Sequence, residues 1–199
     1  MSQMEEHFFS AGYVLIRAGA HDVHTVREEL SKVDGVRIAH ALIGPDDLIC
    51  YVETYDPSQF RRMLNRGIRQ LINAGLVEHT ETLIILSDKG RGYSGEENKP
   101  APAAAWLLCD VSVNDPETVI DELLTKKGVV NAHPVLGRYD MIAYVEATST
   151  DELMRILDED IRTVKGIKST DTRLVLMKIA KELPSRNRDR QRPLKVSAT

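Results

Sequence analysis

No apolar run of roughly 18 residues occurs in the 199-residue chain, which excludes a membrane-spanning helix. The first residues, Glu5, Glu6 and His7 among them, lack the basic-then-apolar layout of a secretory signal. Cysteine is scarce: Cys50 and Cys109 form no metal or redox motif, and each lies inside an apolar strand pattern. They read as buried thiols, in keeping with a reducing cytoplasm. Positive charge is short as well. The net charge is −4, yet residues 180–199 hold Lys181, Arg186, Arg188, Arg190, Arg192 and Lys195 against Glu182 and Asp189. That tail is +4, so the remainder is −8. An acidic body repels nucleic acid, and any DNA binding would fall to the tail.

What the chain does contain is a repetition. A shift of 93 residues lays Gly128-Val-Val-Asn-Ala-His133 over Gly35-Val-Arg-Ile-Ala-His40. Without a gap, Gly137 then meets Gly44, Asp140 meets Asp47, and Tyr144-Val-Glu146 meets Tyr51-Val-Glu53. The register is lost after Leu71, where the first copy is longer, and recovers with Thr170-Asp-Thr172 against Thr80-Glu-Thr82. This is an internal duplication.

Each copy reads as strand, helix, strand, strand, helix, strand. In the first, Tyr13–Ile16 is a strand, Asp22 caps a helix carrying Val26, Leu30 and Val33, and Gly35 ends it. Strands at 36–43 and 48–54 flank the turn Gly44-Pro-Asp-Asp47. Asp56-Pro57 with Gln59 opens a second helix, and Thr82–Leu86 is the last strand. The second copy repeats this with Trp106–Val111, an Asp115 cap, strands at 129–136 and 141–147, a Ser149/Glu152 cap, and a final strand over 173–177. Gly137 suits a turn position with positive φ. The predicted class is α+β: two tandem ferredoxin-like βαββαβ domains of the dimeric α/β-barrel type. Helices cover one sheet face, but the strands are apolar on both, so the second face must be buried by pairing, within the chain or between chains.

Domain limits follow: an N-terminal extension over 1–10, domains over 11–87 and 105–178, a flexible linker over 88–104, and a basic disordered tail over 179–199. The linker spells Gly90-x-Gly92-x-x-Gly95, the dinucleotide fingerprint, but acidic residues and prolines follow where that motif needs a helix. It reads as linker. His40 and His133 occupy matched strand positions without a carboxylate or cysteine at ligand spacing, and read as hydrogen-bonded interface histidines rather than metal ligands. Tyr51 and Tyr144 read as sheet packing. Asp47 and Asp140 are open to two readings, turn-stabilising side chains or ligand contacts.

The pattern Gly-x-Tyr-Asp, an apolar strand, an acidic-capped helix, Gly166-Ile167 and Thr170-x-Thr172 resembles the effector-binding (RAM) domain of the Lrp/AsnC transcription regulators. The resemblance covers both copies. Relatives carry a helix-turn-helix ahead of this domain, whereas about ten residues precede the first strand here. The resemblance implies sheet pairing, further assembly of dimers, and an amino-acid site in clefts between subunits. Carried over, Gly137, Arg138, Tyr139 and Asp140 on the turn, with Thr170 and Thr172 on the facing loop, would hold the ligand. Threonine hydroxyls and turn amides would take its carboxylate, and Asp140 its ammonium. The first copy keeps Gly44, Asp47, Thr80 and Thr82 but has Pro45 and Asp46 in place of the cation and the ring.

The expected function is a regulatory module that senses an amino acid or similar small molecule and couples it to homo-oligomeric state or a partner, without catalysis, cofactor or metal. One rival is a nucleic-acid-associated regulator acting through the basic tail on DNA or with a DNA-binding partner. The other is an enzyme of the dimeric ferredoxin-like class. Against the enzyme, no nucleophile–base pair, carboxylate pair or metal cluster recurs in both copies.

Overall fold

Side chains that cap helices set the frame. Asp56 accepts from the Gln59 amide at 2.8 Å with Pro57 at the first helical position, and Ser149 Oγ accepts from the Glu152 amide at 3.1 Å. Gly35 (φ +99°) and Gly128 (φ +84°) take left-handed conformations after the first helix of each copy, and each carbonyl accepts at 2.8 Å from the amide of Glu53 or Glu146. The computed structural model describes residues 10–19, 23–87, 101–112 and 116–179. The expected caps Asp22 and Asp115, the glycine motif at 90–95, the N-terminal extension up to residue 9 and the basic tail from residue 180 lie outside the described residues.

The elements are β1 (Ser10–Arg17), α1 (Val23–Leu30), β2 (Val36–Ile43), β3 (Leu48–Thr54), α2 (Pro57–Arg62), α3 (Arg69–Asn73), β4 (His79–Ile85), β5 (Ala103–Val111), α4 (Pro116–Leu123), β6 (Val129–Leu136), β7 (Met141–Ala147), α5 (Thr150–Arg155) and β8 (Ile167–Ile179). A π-helical turn (Met63–Ile68) joins α2 to α3, and a matching one (Ile156–Ile161) extends α5. Three boundaries move. Ala103 and Ala104, read as linker, pair with Ala147 and Glu146 and begin β5. Both last strands start earlier than periodicity suggested, so Thr80 joins Thr82 inside β4, and Thr170 and Thr172 lie inside β8 and not on a loop.

The strands close into one antiparallel barrel in the order β1-β3-β2-β8-β5-β7-β6-β4. Each copy supplies four adjacent strands, and the two four-stranded sheets join edge to edge at β2/β8 and β4/β6. Pairing is therefore within the chain, and closure removes every free sheet edge. The faces that looked unpartnered become the barrel interior, where Tyr13, Leu15, Ile49, Tyr51, Trp106, Leu108, Ile142 and Tyr144 are buried together. Outside, each copy packs its own helices on its own sheet: Val26, Leu30, Phe60 and Ile68 in the first, Ile120, Leu123, Leu153 and Ile161 in the second.

The two seams differ. The β2/β8 ladder runs from Ala39 to Ile43, while β4/β6 pairs only Ile84 and Ile85 with Leu136 and Val135. β6 carries Pro134 where the repeat places Ala41 in β2. Pro134 accepts from the Leu86 amide at 3.0 Å, so its N–H-less nitrogen also faces β4. That missing donor shortens the seam.

Two hydrogen bonds cross the barrel between copies at matched positions. The Tyr13 hydroxyl and His133 Nδ1 are 2.8 Å apart, and Trp106 Nε1 donates to His40 Nδ1 at 3.2 Å. An indole only donates, so neutral His40 keeps its proton on Nε2. The expectation of interface histidines holds, and beside them Trp106 meets Tyr13 edge to face at a centroid distance of 5.2 Å and lies tilted against Tyr144 at 4.5 Å. Burial pushes His133 down to about 4.

Candidate functional site

Every neighbouring strand pair is antiparallel, so both glycine turns, 44–47 between β2 and β3 and 137–140 between β6 and β7, emerge at the same end of the barrel. Their aspartates do matched structural work. Asp47 Oδ2 accepts from the Ala18 amide and Asp140 Oδ2 from the Val111 amide, each at 2.8 Å. Their own amides donate to Ile16 and Cys109 at 2.9 and 3.0 Å. The turn-stabilising reading describes both residues, and Asp140 spends one carboxylate oxygen on the end of β5.

Gly137 does not adopt positive φ, contrary to the sequence reading. Its requirement is space: a Cβ there would lie 2.5 Å from Leu83 Cδ2 and 3.4 Å from the Thr82 carbonyl oxygen. A Cβ on Gly44 would meet Arg173 Cδ at 2.5 Å. Each turn thus leans on the last strand of the other copy. The expected pocket of one turn with the threonines of its own copy is replaced by two composites that cross the duplication.

Strand alternation places the rest. Glu81, Leu83 and Ile85 face inward on β4, as do Asp171, Arg173 and Val175 on β8. Thr80, Thr82, Thr170 and Thr172 occupy the intervening positions and leave through the outer face, so their hydroxyls do not join the turns at the barrel end. What meets the turns instead is charged. Arg138, 65% exposed, stands 3.9 Å from Glu81 and 5.0 Å over the Tyr139 ring. Tyr139 is buried and donates its hydroxyl to Asp171 at 2.8 Å. Arg173, only 3% exposed, is clamped by Asp171 and reaches Asp46 at 3.6 Å, tying the first copy's turn into the same network.

The electrostatics follow from these contacts. Burial, with the hydrogen bond to Asp171, pushes Tyr139 up to about 12. Burial works to raise Asp171, but hydrogen bonds from Arg173 and Tyr139 outweigh it and hold the carboxyl below its ordinary range. Glu81, Asp171 and Arg173 were not anticipated from the sequence. The signal was available, since Asp171, Arg173 and Val175 alternate with the threonines at strand period.

The family model for the Lrp/AsnC ligand binding domain matches residues 11–93 and 108–184, most of the chain. The chain belongs to this family. It carries the Lrp/AsnC ligand binding domain twice. It is similar to a homocitrate synthase of Sulfolobus acidocaldarius, 34% identical over 99 residues, covering 47% of this chain and 21% of that protein. A homocitrate synthase of Saccharolobus solfataricus is 29% identical over 156 residues, covering 78% of this chain and 30% of the other. The chain spans under a third of the length of these curated relatives. Among solved structures, the siroheme decarboxylase NirDL shares the fold at 14% identity and a TM-score of 0.58, over 85% of this chain and 72% of that one. No helix among the described residues is long and apolar enough to cross a membrane.

Proposed function

We propose that this Lrp/AsnC domain pair is a non-catalytic sensor that binds a free amino acid or close analogue at the barrel end and transmits its presence through assembly with other copies. The observation that carries the reading is the Arg138–Glu81 pair, an exposed guanidinium facing a carboxylate across the two copies. A zwitterion presents the complementary charges, its carboxylate to Arg138 and its ammonium to Glu81. The first copy's turn has no such opening, because Arg173 already occupies it, so one effector per chain is expected.

Assembly would use the outer faces of the seams. Ile84, Leu86 and Leu136 are exposed at β4/β6, and Ile43 and Leu176, their counterparts, at β2/β8. Apolar side chains grouped this way are characteristic of surfaces that another chain covers. The unpaired, buried thiols Cys50 and Cys109 fit a reducing cytoplasm.

A thermal-shift panel of the amino acids, with sedimentation velocity run on each hit, tests the reading. A specific hit should raise the melting temperature and change the sedimentation coefficient, and Arg138→Ala should remove both effects. Asp140→Ala is a poor probe, since it also releases the Val111 amide. Stabilisation by no amino acid would reduce the barrel end to a structural seam.

A further inference from the structure

A groove of about 640 Å³ opens on the helical side of the first copy, between the end of α1, the end of β3 and the helix running from Pro57 to Asn73. It lies apart from the barrel-end network, and neither the residues of the two glycine turns nor Thr80, Thr82, Thr170 and Thr172 line it. Gln59, Arg62, Arg66 and Gln70 line one wall at helical spacing. Of the five remaining charges, Lys32 is paired with Glu29 and Arg37 with Glu53 at 3.7 Å, and Asp34 is the other carboxylate of the lining, against the two guanidiniums of Arg62 and Arg66. Arg62 and Arg66 have no ion pair or hydrogen bond among the described residues, although both line the same concavity.

The duplication supplies an internal control. At the matched positions of the second copy, Lys127 and Glu152 are bonded at 2.7 Å across the corresponding place. Arg155, the counterpart of Arg62, is paired with Glu159 at 3.4 Å and with Asp160 at 3.8 Å. Glu159 and Asp160 replace Arg66 and Gly67, so that wall is acidic and its cation is spent. Both copies keep the same π-helical turn. The backbone is therefore shared, and only the side chains have separated into a bridged, acidic version and an open version with two uncommitted guanidiniums.

We propose that the groove of the first copy is a binding site for a small polyanion, carrying two or more carboxylates or phosphates, clamped by Arg62 and Arg66. Guanidinium forks hold such oxyanions in bidentate geometry, and Gln59 and Gln70 add neutral donors at either end of the wall. The volume suits a metabolite-sized ligand. The exposed Tyr55 ring on the rim offers a face for an unsaturated or ring portion of the molecule.

Titration calorimetry of the full chain with citrate and, separately, with inorganic pyrophosphate tests this. One of the two should bind saturably below about 10 mM, and the tighter names the acid class. The double variant R62Q/R66Q, at exposed positions, should weaken that binding at least about tenfold with an unchanged circular dichroism spectrum. R155Q/R162Q in the second copy should leave it intact, and so should Arg138→Ala. Absence of saturable binding of both anions, or equal weakening by both double variants, overturns the site.

Discussion

Burial of the His133 ring holds its folded-state value at about 4 against an ordinary 6.5. The unfolded chain therefore binds the proton more readily. The neutral ring's contribution is complete above pH 6.5 and is lost as pH falls from there to about 4, a change on the order of 3 kcal/mol. Denaturant titrations across that window should show the loss, and His133→Gln, whose amide can still bond the Tyr13 hydroxyl, should flatten it. The cysteines give a second test at the same scale. Burial pushes Cys50 and, with help from the charge of Asp110, Cys109 up to about 12. Alkylation at pH 8 should leave both untouched in the native protein and label both after unfolding. Removing the Ser149 hydroxyl by mutation to alanine should cost about 1 kcal/mol, read as a lower denaturation midpoint.

At the scale of elements, the seams have unequal strength, and the reason is one imino acid. Amides along β4 and β6 should exchange with deuterium faster than those of β2 paired to β8. Pro134→Ala restores a donor facing β4 and should slow exchange there. Much of this level was readable beforehand. The repeat, the Asp56 and Ser149 caps, the glycines that end the first helices and the strand order all follow from local patterns, and those patterns recur 93 residues apart. Two things did not follow. Side-chain alternation says which face a residue takes but nothing about which backbone edge it meets, so the joining of β2 to β8 and β4 to β6 leaves no mark in sequence. The candidate site suffered differently. Thr170 and Thr172 came by resemblance, while the strand in which they sit turns them outward and brings Asp171 and Arg173 to the turns instead.

At the scale of the whole molecule, the two copies are not domains in the sense of separable units. The interior layer of Tyr13, Trp106, Tyr51 and Tyr144 belongs to both, and the crossing bonds to His133 and His40 each need one partner from either copy. Unfolding should accordingly be a single transition, with tryptophan fluorescence, which reports the shared core through Trp106, and far-UV circular dichroism coinciding. Lysine at Leu86 or Leu176 should leave that transition in place while shifting sedimentation toward smaller species. Closure by one chain has a further effect. A barrel assembled from two separate polypeptides comes apart on dilution, because its partners must find each other. Here the partner is always tethered, at an effective concentration in roughly the millimolar range for a short connection. Closure alone makes the melting temperature independent of dilution, so a fall in melting temperature between micromolar and nanomolar protein reports the contacts between chains at the seams, and lysine at Leu86 or Leu176 should abolish it.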